Sequence, residues 1–174
     1  MGKFLKIAVL PLAAAVLAAC AGGGAGGAGA QAILKPTQGN MAAGTVAFHP
    51  SGAGVRVVAR VSGLTPGAHG FHIHDKGDCS APDGTSAGGH FNPMGKPHGN
   101  PAHADHHVGD LPQLVADASG NATLDVVLEG PVIGQGGAGI IGRAVIIHAS
   151  ADDFTTQPTG NSGARVACGV IAAG

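Results

Sequence analysis

Four short runs, GFHIHDKGDC, GGHFNP, KPHG and HHVGD, place six histidines before or beside Asp110, and His148 follows as a further candidate ligand. His72 and His74 stand two apart in an apolar stretch. A strand puts positions i and i+2 on one face, so both imidazoles can point at one ion. His90, His98, His107 and Asp110 follow in Gly- and Pro-rich sequence that reads as loop, which can fold ligands around a metal. Imidazole nitrogens suit copper and zinc alike, whereas a lone carboxylate among histidines is common for zinc and poor for copper(I). The set therefore reads as two metal ions of different character. Scattered surface or hydrogen-bonding histidines would account for any one of these residues but not for the whole set. His49, His103 and His106 fall outside the pattern; the last two read as solvated loop residues, with capture of metal ahead of the site as the alternative.

The elements that must position these ligands are strands. Segments rich in β-branched residues recur at 44–48, 55–64, 70–74, 122–128, 144–148 and 165–172, with turn residues between them. The clearest is Val55 to Val61, where Val55, Val57, Ala59 and Val61 share one face and Arg56, Val58 and Arg60 the other, as in a sheet with one buried side. No window shows a convincing helical period, and 32 glycines with 11 prolines would break most helices. The class is all-β. Two intervals without strand signals, 75–113 and 150–164, each follow a histidine-bearing strand, and loops of that length in a compact domain are usually functional. The Gly-rich stretch 134–139 lacks the strand before it and helix after it that a phosphate-binding loop needs, and reads as a turn.

A chain of 174 residues has room for one domain with a real core. Its first segment has two lysines, then the apolar run 7–17, then Leu-Ala-Ala-Cys ending at Cys20, the pattern of a secretion signal. The ending resembles the lipobox of bacterial lipoproteins, which makes 1–19 a lipoprotein signal peptide and Cys20 a lipid anchor. An ordinary signal peptide cut within the alanines is the alternative. Residues 21–30 are only Gly and Ala, so 20–34 reads as the lipidated cysteine and a flexible tether, with the folded domain at 35–174. Setting Cys20 aside leaves Cys79 and Cys168, which in an exported protein read as a disulfide, free thiols or soft metal ligands being the alternative. Removing Lys3 and Lys6 leaves seven basic against ten acidic residues, a net charge of about −3. With no basic run, no Trp and no Tyr, nothing points to nucleic acid.

From about Thr45 to Ile171 the chain resembles a copper/zinc superoxide dismutase of the bacterial, exported type. The motifs HGFHIHDKGDC, TSAGGHFNP, HHVGDLP, IIGRAVIIHASADD and GNSGARVACGVI carry the resemblance together. It implies an Ig-like Greek-key fold, a flattened eight-stranded β-barrel or sandwich with two long functional loops. It implies one copper per subunit on His72, His74, His90 and His148, and one zinc on His90, His98, His107 and Asp110, with His90 bridging the two. Asp152 then corresponds to the aspartate that links a copper-ligand histidine to a zinc-ligand histidine, although it could instead cap a turn with Asp153. Arg165 corresponds to the arginine that attracts and orients the anionic substrate, its alternative being a surface charge on a strand. Cys79 and Cys168 correspond to the family disulfide, and His69 to a structural histidine. The implied reaction is dismutation of superoxide by a redox-cycling copper, with Arg165 and His90 as catalytic residues and His90 delivering a proton. The loop 75–86 departs from many periplasmic relatives in being short, with Lys76 but little other positive charge, so both monomer and homodimer stay open. The implied address is the bacterial cell envelope: a periplasmic lipoprotein held at the membrane by its N-terminal lipid. A metal-storing or metal-delivering lipoprotein on the same scaffold is the competing function; the presence of all seven ligand positions together with Arg165 favours the enzyme.

Overall fold

The structure, a computed structural model, describes residues 1–2 and 29–174; the expected leader, Cys20 and the segment up to residue 28 lie outside the described residues. Nine strands follow in order: β1 (Ala30–Pro36), β2 (Ala43–Ser51), β3 (Gly54–Ser62), β4 (Gly67–His69), β5 (Phe71–His74), β6 (Leu114–Ala116), β7 (Ala122–Leu128), β8 (Ala144–His148) and β9 (Arg165–Ala173). Seven form one antiparallel sheet in the order β5-β8-β9-β1-β2-β3-β7, and β4 pairs with β6. The all-β class and both long loops agree with the sequence reading. The expected flattened barrel or sandwich of eight strands is divided, among the described residues, into the seven-stranded sheet and a two-stranded ribbon of three-residue strands.

A second difference is β1, whose Ala30 start puts the folded domain five residues ahead of the expected boundary at 35 and takes 30–34 away from the expected tether. Alanine has little preference for strands, but here partners on both sides decide the conformation. Ala30 lies opposite Phe48 of β2 and Ala173 of β9, and Ala30, Ala32 and Leu34 turn inward.

The core follows from alternation. On β3, Val55, Val57, Ala59 and Val61 are buried while Arg56 and Arg60 are exposed, and Arg56 reaches Asp125 of β7 through both carboxylate oxygens. With five Phe and no Trp or Tyr, the packing is completed by Val, Ile, Leu and Ala. Strands β5 and β8 are buried on both faces. Phe71, Ile73, Val145 and Ile147 join the main core, while Ala144 and Ile146 join a smaller cluster with Ala87 and Cys168. His72 and His74 alternate with the core residues of β5, so they lie on the face that the loops cover.

Loop 75–113 is fastened there at three levels. Its backbone prolongs the sheet: Phe91 N–H donates to Ile73 O (2.8 Å), Ile73 N–H to Gly109 O (2.8 Å) and Gly109 N–H to Phe91 O (2.9 Å). The Arg143 guanidinium donates to Asp75 O (2.6 Å) and Asp75 Oδ1 (2.7 Å) and sits 3.6 Å above the centre of the Phe91 ring. Cys79 is disulfide-bonded to Cys168 of β9, with a Cα separation of 5.8 Å. Closing a loop of 89 residues removes enough denatured-state freedom to stabilise the fold by about 4–5 kcal/mol in the chain-entropy model. The double substitution Cys79→Ala with Cys168→Ala is expected to lower unfolding free energy by about 2–5 kcal/mol. Urea denaturation of the metal-free protein checks this, and an unchanged midpoint would refute it.

Candidate metal centre

Every ligand named from the sequence is buried, and the structure brings them into two adjoining clusters. His72 and His74 come from β5, His148 from the end of β8, and His90 from the loop, where it pairs in register with His74. His98, His107 and Asp110 come from the rest of loop 75–113, with Asp110 opposite His72. Within the group His72, His74, His90 and His148, one ring nitrogen per residue lies within 4.8 Å of all the others; the same holds for one nitrogen or carboxylate oxygen each of His90, His98, His107 and Asp110. His90 belongs to both.

The hydrogen bonds separate the two nitrogens of each ring. His74 donates from Nδ1 to Gly88 O (2.8 Å) and His148 from Nδ1 to Gly163 O (3.1 Å). His72 Nε2 lies 2.6 Å from Asp152 Oδ2. The opposite nitrogens, His72 Nδ1, His74 Nε2 and His148 Nε2, together with His90 Nε2, are buried and have no hydrogen-bond partner. An unpartnered buried polar atom costs about 1–3 kcal/mol. Four such atoms aimed at one point make sense as lone pairs for a cation, and four imidazole nitrogens suit copper.

The second cluster is arranged around Asp110. Its Oδ1 lies 2.9 Å from His90 Nδ1, 3.0 Å from His98 Nδ1 and 3.5 Å from His107 Nδ1, while Oδ2 accepts from the Gly99 and His107 N–H groups. His90 Nδ1 and His107 Nδ1 are only 3.3 Å apart. Three ring nitrogens facing one carboxylate oxygen form a closed N₃O donor set, which matches a structural zinc. His90 thus presents Nδ1 to one cluster and Nε2 to the other, the arrangement a bridging imidazolate requires.

Asp152 ties the clusters together from outside, with Oδ2 on His72 and Oδ1 on His98 Nε2 at 2.9 Å. Such carboxylates hold a ligand ring in one tautomer and orientation. Gly160 is obligatory beneath it: its φ is +66°, and a Cβ there would collide with Asp152 Oδ1 and lie 2.6 Å from His98 Nε2. Arg165, on β9 opposite His148, donates to Gly84 O and Gly88 O, both at 2.6 Å. Gly88 O therefore accepts from both His74 and Arg165. Burial lowers the Arg165 pKa and Asp83 opposes this, but an arginine remains charged at neutral pH. His69 is buried away from both clusters, its nitrogens meeting His148 O (2.7 Å) and Thr65 O (2.8 Å). His103 and His106 lie outside both clusters.

Sequence reasoning missed four supports: the carbonyls of Gly88 and Gly163, and the side chains of Gln113, which accepts from Asp152 N–H at 3.1 Å, and Gln157, which contacts His98. Backbone carbonyls carry no residue signature, and a glutamine announces no chemistry.

Without metal, these groups titrate in opposite directions. Burial pushes His90 down to about 4 against the pull of Asp110, and burial with the nearby His72 pushes His148 down to about 3. Burial also acts against His98, but Asp110 and Asp152 outweigh it and raise that group to about 9. An unfolded histidine titrates near 6.5. From there down to about 4 and then 3, the unfolded chain binds more protons at His90 and His148, so stability falls on acidification. From about 6.5 up to about 9, the folded chain holds the extra proton on His98, so stability falls as pH rises. Urea midpoints of the chelated protein are expected to peak near pH 6–7; a flat profile from pH 4 to 9 would contradict these assignments.

Comparison with known proteins matches this geometry. Residues 42–171 fit the family model described as Copper/zinc superoxide dismutase (SODC). The extracellular superoxide dismutase [Cu-Zn] of Brugia pahangi is 41% identical over 151 residues, covering 81% of this chain and 74% of the relative. Superoxide dismutase [Cu-Zn] 2 of Mesembryanthemum crystallinum is 45% identical over 141 residues, covering 76% and 88%. Among solved structures, that of the clock protein EA4 superposes with a TM-score of 0.75 at 40% identity, covering 84% of this chain and 95% of its own. With one donor set fit for copper, a second fit for zinc and a single histidine in both, the chain belongs to the copper/zinc superoxide dismutase family and dismutates superoxide to oxygen and hydrogen peroxide.

Proposed function

We propose that this protein is an exported, lipid-anchored dismutase of a bacterial cell envelope, which removes superoxide arising outside the cytoplasm. The leader pattern ending in Leu-Ala-Ala-Cys20 supports export and anchoring, and the Cys79–Cys168 disulfide suits an oxidising compartment. The Brugia relative is itself described as extracellular.

The observation that carries the catalytic reading is the convergence of four unpartnered ring nitrogens one residue pairing away from Arg165. The reaction consumes two superoxide anions and two protons and yields one O₂ and one H₂O₂. Copper held by His72, His74, His90 and His148 supplies the one-electron redox chemistry, and zinc held by the second set supplies fixed charge. The chain's own residues do the rest. Arg165 is a cation whose guanidinium is locked by two carbonyls, so it attracts and orients a small anion without rearranging. An acidic protein needs such local attraction. His90 Nε2 is buried and free of competing hydrogen bonds, so it is the atom placed to take up a proton and pass it to the reduced substrate, while Nδ1 stays with Asp110 and His107. Asp152 keeps His72 and His98 from turning while this happens.

Superoxide decay followed directly on the purified domain, with copper and zinc quantified in the same sample, tests the reading. Rapid decay lost on chelation supports it; full occupancy without decay would assign the protein to metal storage. Arg165→Ala is expected to slow turnover several-fold or more with both metals retained, and loss of metal instead would give Arg165 a structural role. Cys20→Ser is expected to move the protein from the membrane to the soluble fraction, and continued membrane association would overturn the anchor.

A further inference from the structure

The zinc ligand His98 is gripped from two sides by a single loop. Asp152 takes its ring, as described above. Five residues later in the same loop, the carboxamide of Gln157 takes its backbone: His98 N–H donates to Gln157 Oε1 at 2.9 Å, and Gln157 Nε2 donates to His98 O at 2.9 Å. The carboxamide thereby satisfies both backbone polar groups of one residue, as a neighbouring strand would. His98 itself is 3% exposed, and its ring meets Asp110 on one side and Asp152 on the other. Loop 75–113 gives His98 no strand pairing of its own, since its strand-like contacts lie at His90, Phe91, Gly109 and Asp110.

We propose that Gln157 is a positioning residue for the zinc site, and that it makes loop 149–164 a strap that governs how fast zinc leaves. The inference deepens the zinc assignment of His90, His98, His107 and Asp110 and rests on it. Zinc release requires His98 to swing away from Asp110 and its partners, and the ring cannot swing while its peptide and its Nε2 are both held. Asp152 fixes the ring, and Asp110 Oδ2 holds only the far side of the peptide through Gly99 N–H at 3.1 Å, which leaves His98 N–H and His98 O to Gln157. Gln157 fixes the peptide, and only a side chain offering one acceptor and one donor side by side can do so. The same loop carries Asp152, whose other oxygen holds His72, so the strap spans both clusters but grips only the zinc ligand by its backbone.

The test uses the metal-loaded protein and two variants. Gln157→Ala removes both hydrogen bonds; Gln157→Glu keeps the shape and the acceptor for His98 N–H but offers no donor to His98 O. Zinc release to a chromogenic chelator, copper release to a copper-selective chelator, and the urea midpoint of the metal-free protein are measured for each. Partners that orient metal ligands typically change affinity by about 10- to 100-fold. The expected result is zinc release about tenfold or more faster in Gln157→Ala and intermediate in Gln157→Glu, with copper release close to that of the parent and a metal-free midpoint lowered only as far as the two lost backbone hydrogen bonds require. Unchanged zinc release in both variants would overturn the proposal. So would equal acceleration of both metals together with a lowered metal-free midpoint, which would make Gln157 a general stabiliser of the loop. The parent protein separates the two readings: failure to retain zinc there would remove the zinc assignment itself, before any variant is compared.

Discussion

A single imidazole ring has to serve two clusters at once, and most of the architecture follows from that demand. His90 faces Asp110 and His107 with Nδ1 and the copper set with Nε2, so the two clusters cannot be built or adjusted independently. A rigid five-membered ring fixes how far apart they sit. Everything supplying the other ligands must then be held to similar tolerance. The fold meets this by placing two copper ligands on β5, a strand buried on both faces, and by extending that strand's pairing into the loop so that His90 and Asp110 arrive in register with His74 and His72.

The remaining freedom is taken up by carbonyls and carboxylates. Gly88 O accepts from both His74 and Arg165, so a ring of the copper set and the guanidinium share one anchor point. Gly88 adopts φ +74°, a conformation open to glycine at little cost, and this aims its carbonyl inward. Asp152 does for the outer nitrogens of His72 and His98 what His90 does for the inner ones. Positions of the Arg165 guanidinium, the copper ligands and the zinc ligands are therefore coupled through a handful of oxygen atoms, divided between main-chain carbonyls and two carboxylates.

Much of this was legible in the sequence, for identifiable reasons. The seven ligand positions were readable because histidines at i and i+2 on an apolar segment, followed by histidines in Gly- and Pro-rich sequence, form a pattern that chance rarely produces. The alternation of β3 was readable because Val and Arg partition so clearly. β1 was hidden because Ala30, Gln31 and Ala32 look like a continuation of the Gly/Ala segment, and its strand conformation comes from β2 and β9, the latter more than 130 residues away. β4 and β6 were hidden by being three residues long, too short for any period to show. The Gly84 and Gly88 acceptors and the Arg143–Phe91 stack depend on loop conformations that tertiary contacts impose.

β1 also sets a direction. Its first residue lies beside Ala173, near the chain's C-terminus, whereas Thr37, just past its last residue, takes a place next to the arginine: Thr37 Oγ1 donates to Arg165 O at 2.7 Å. Seven residues of strand span about 20 Å. The start of β1 and the backbone of Arg165 thus stand at opposite ends of one element. A tether joined ahead of Ala30 would therefore pull on the end of β1 remote from Arg165, so a load on the chain's start would enter the sheet through β2 and β9 and not through the strand end beside the arginine.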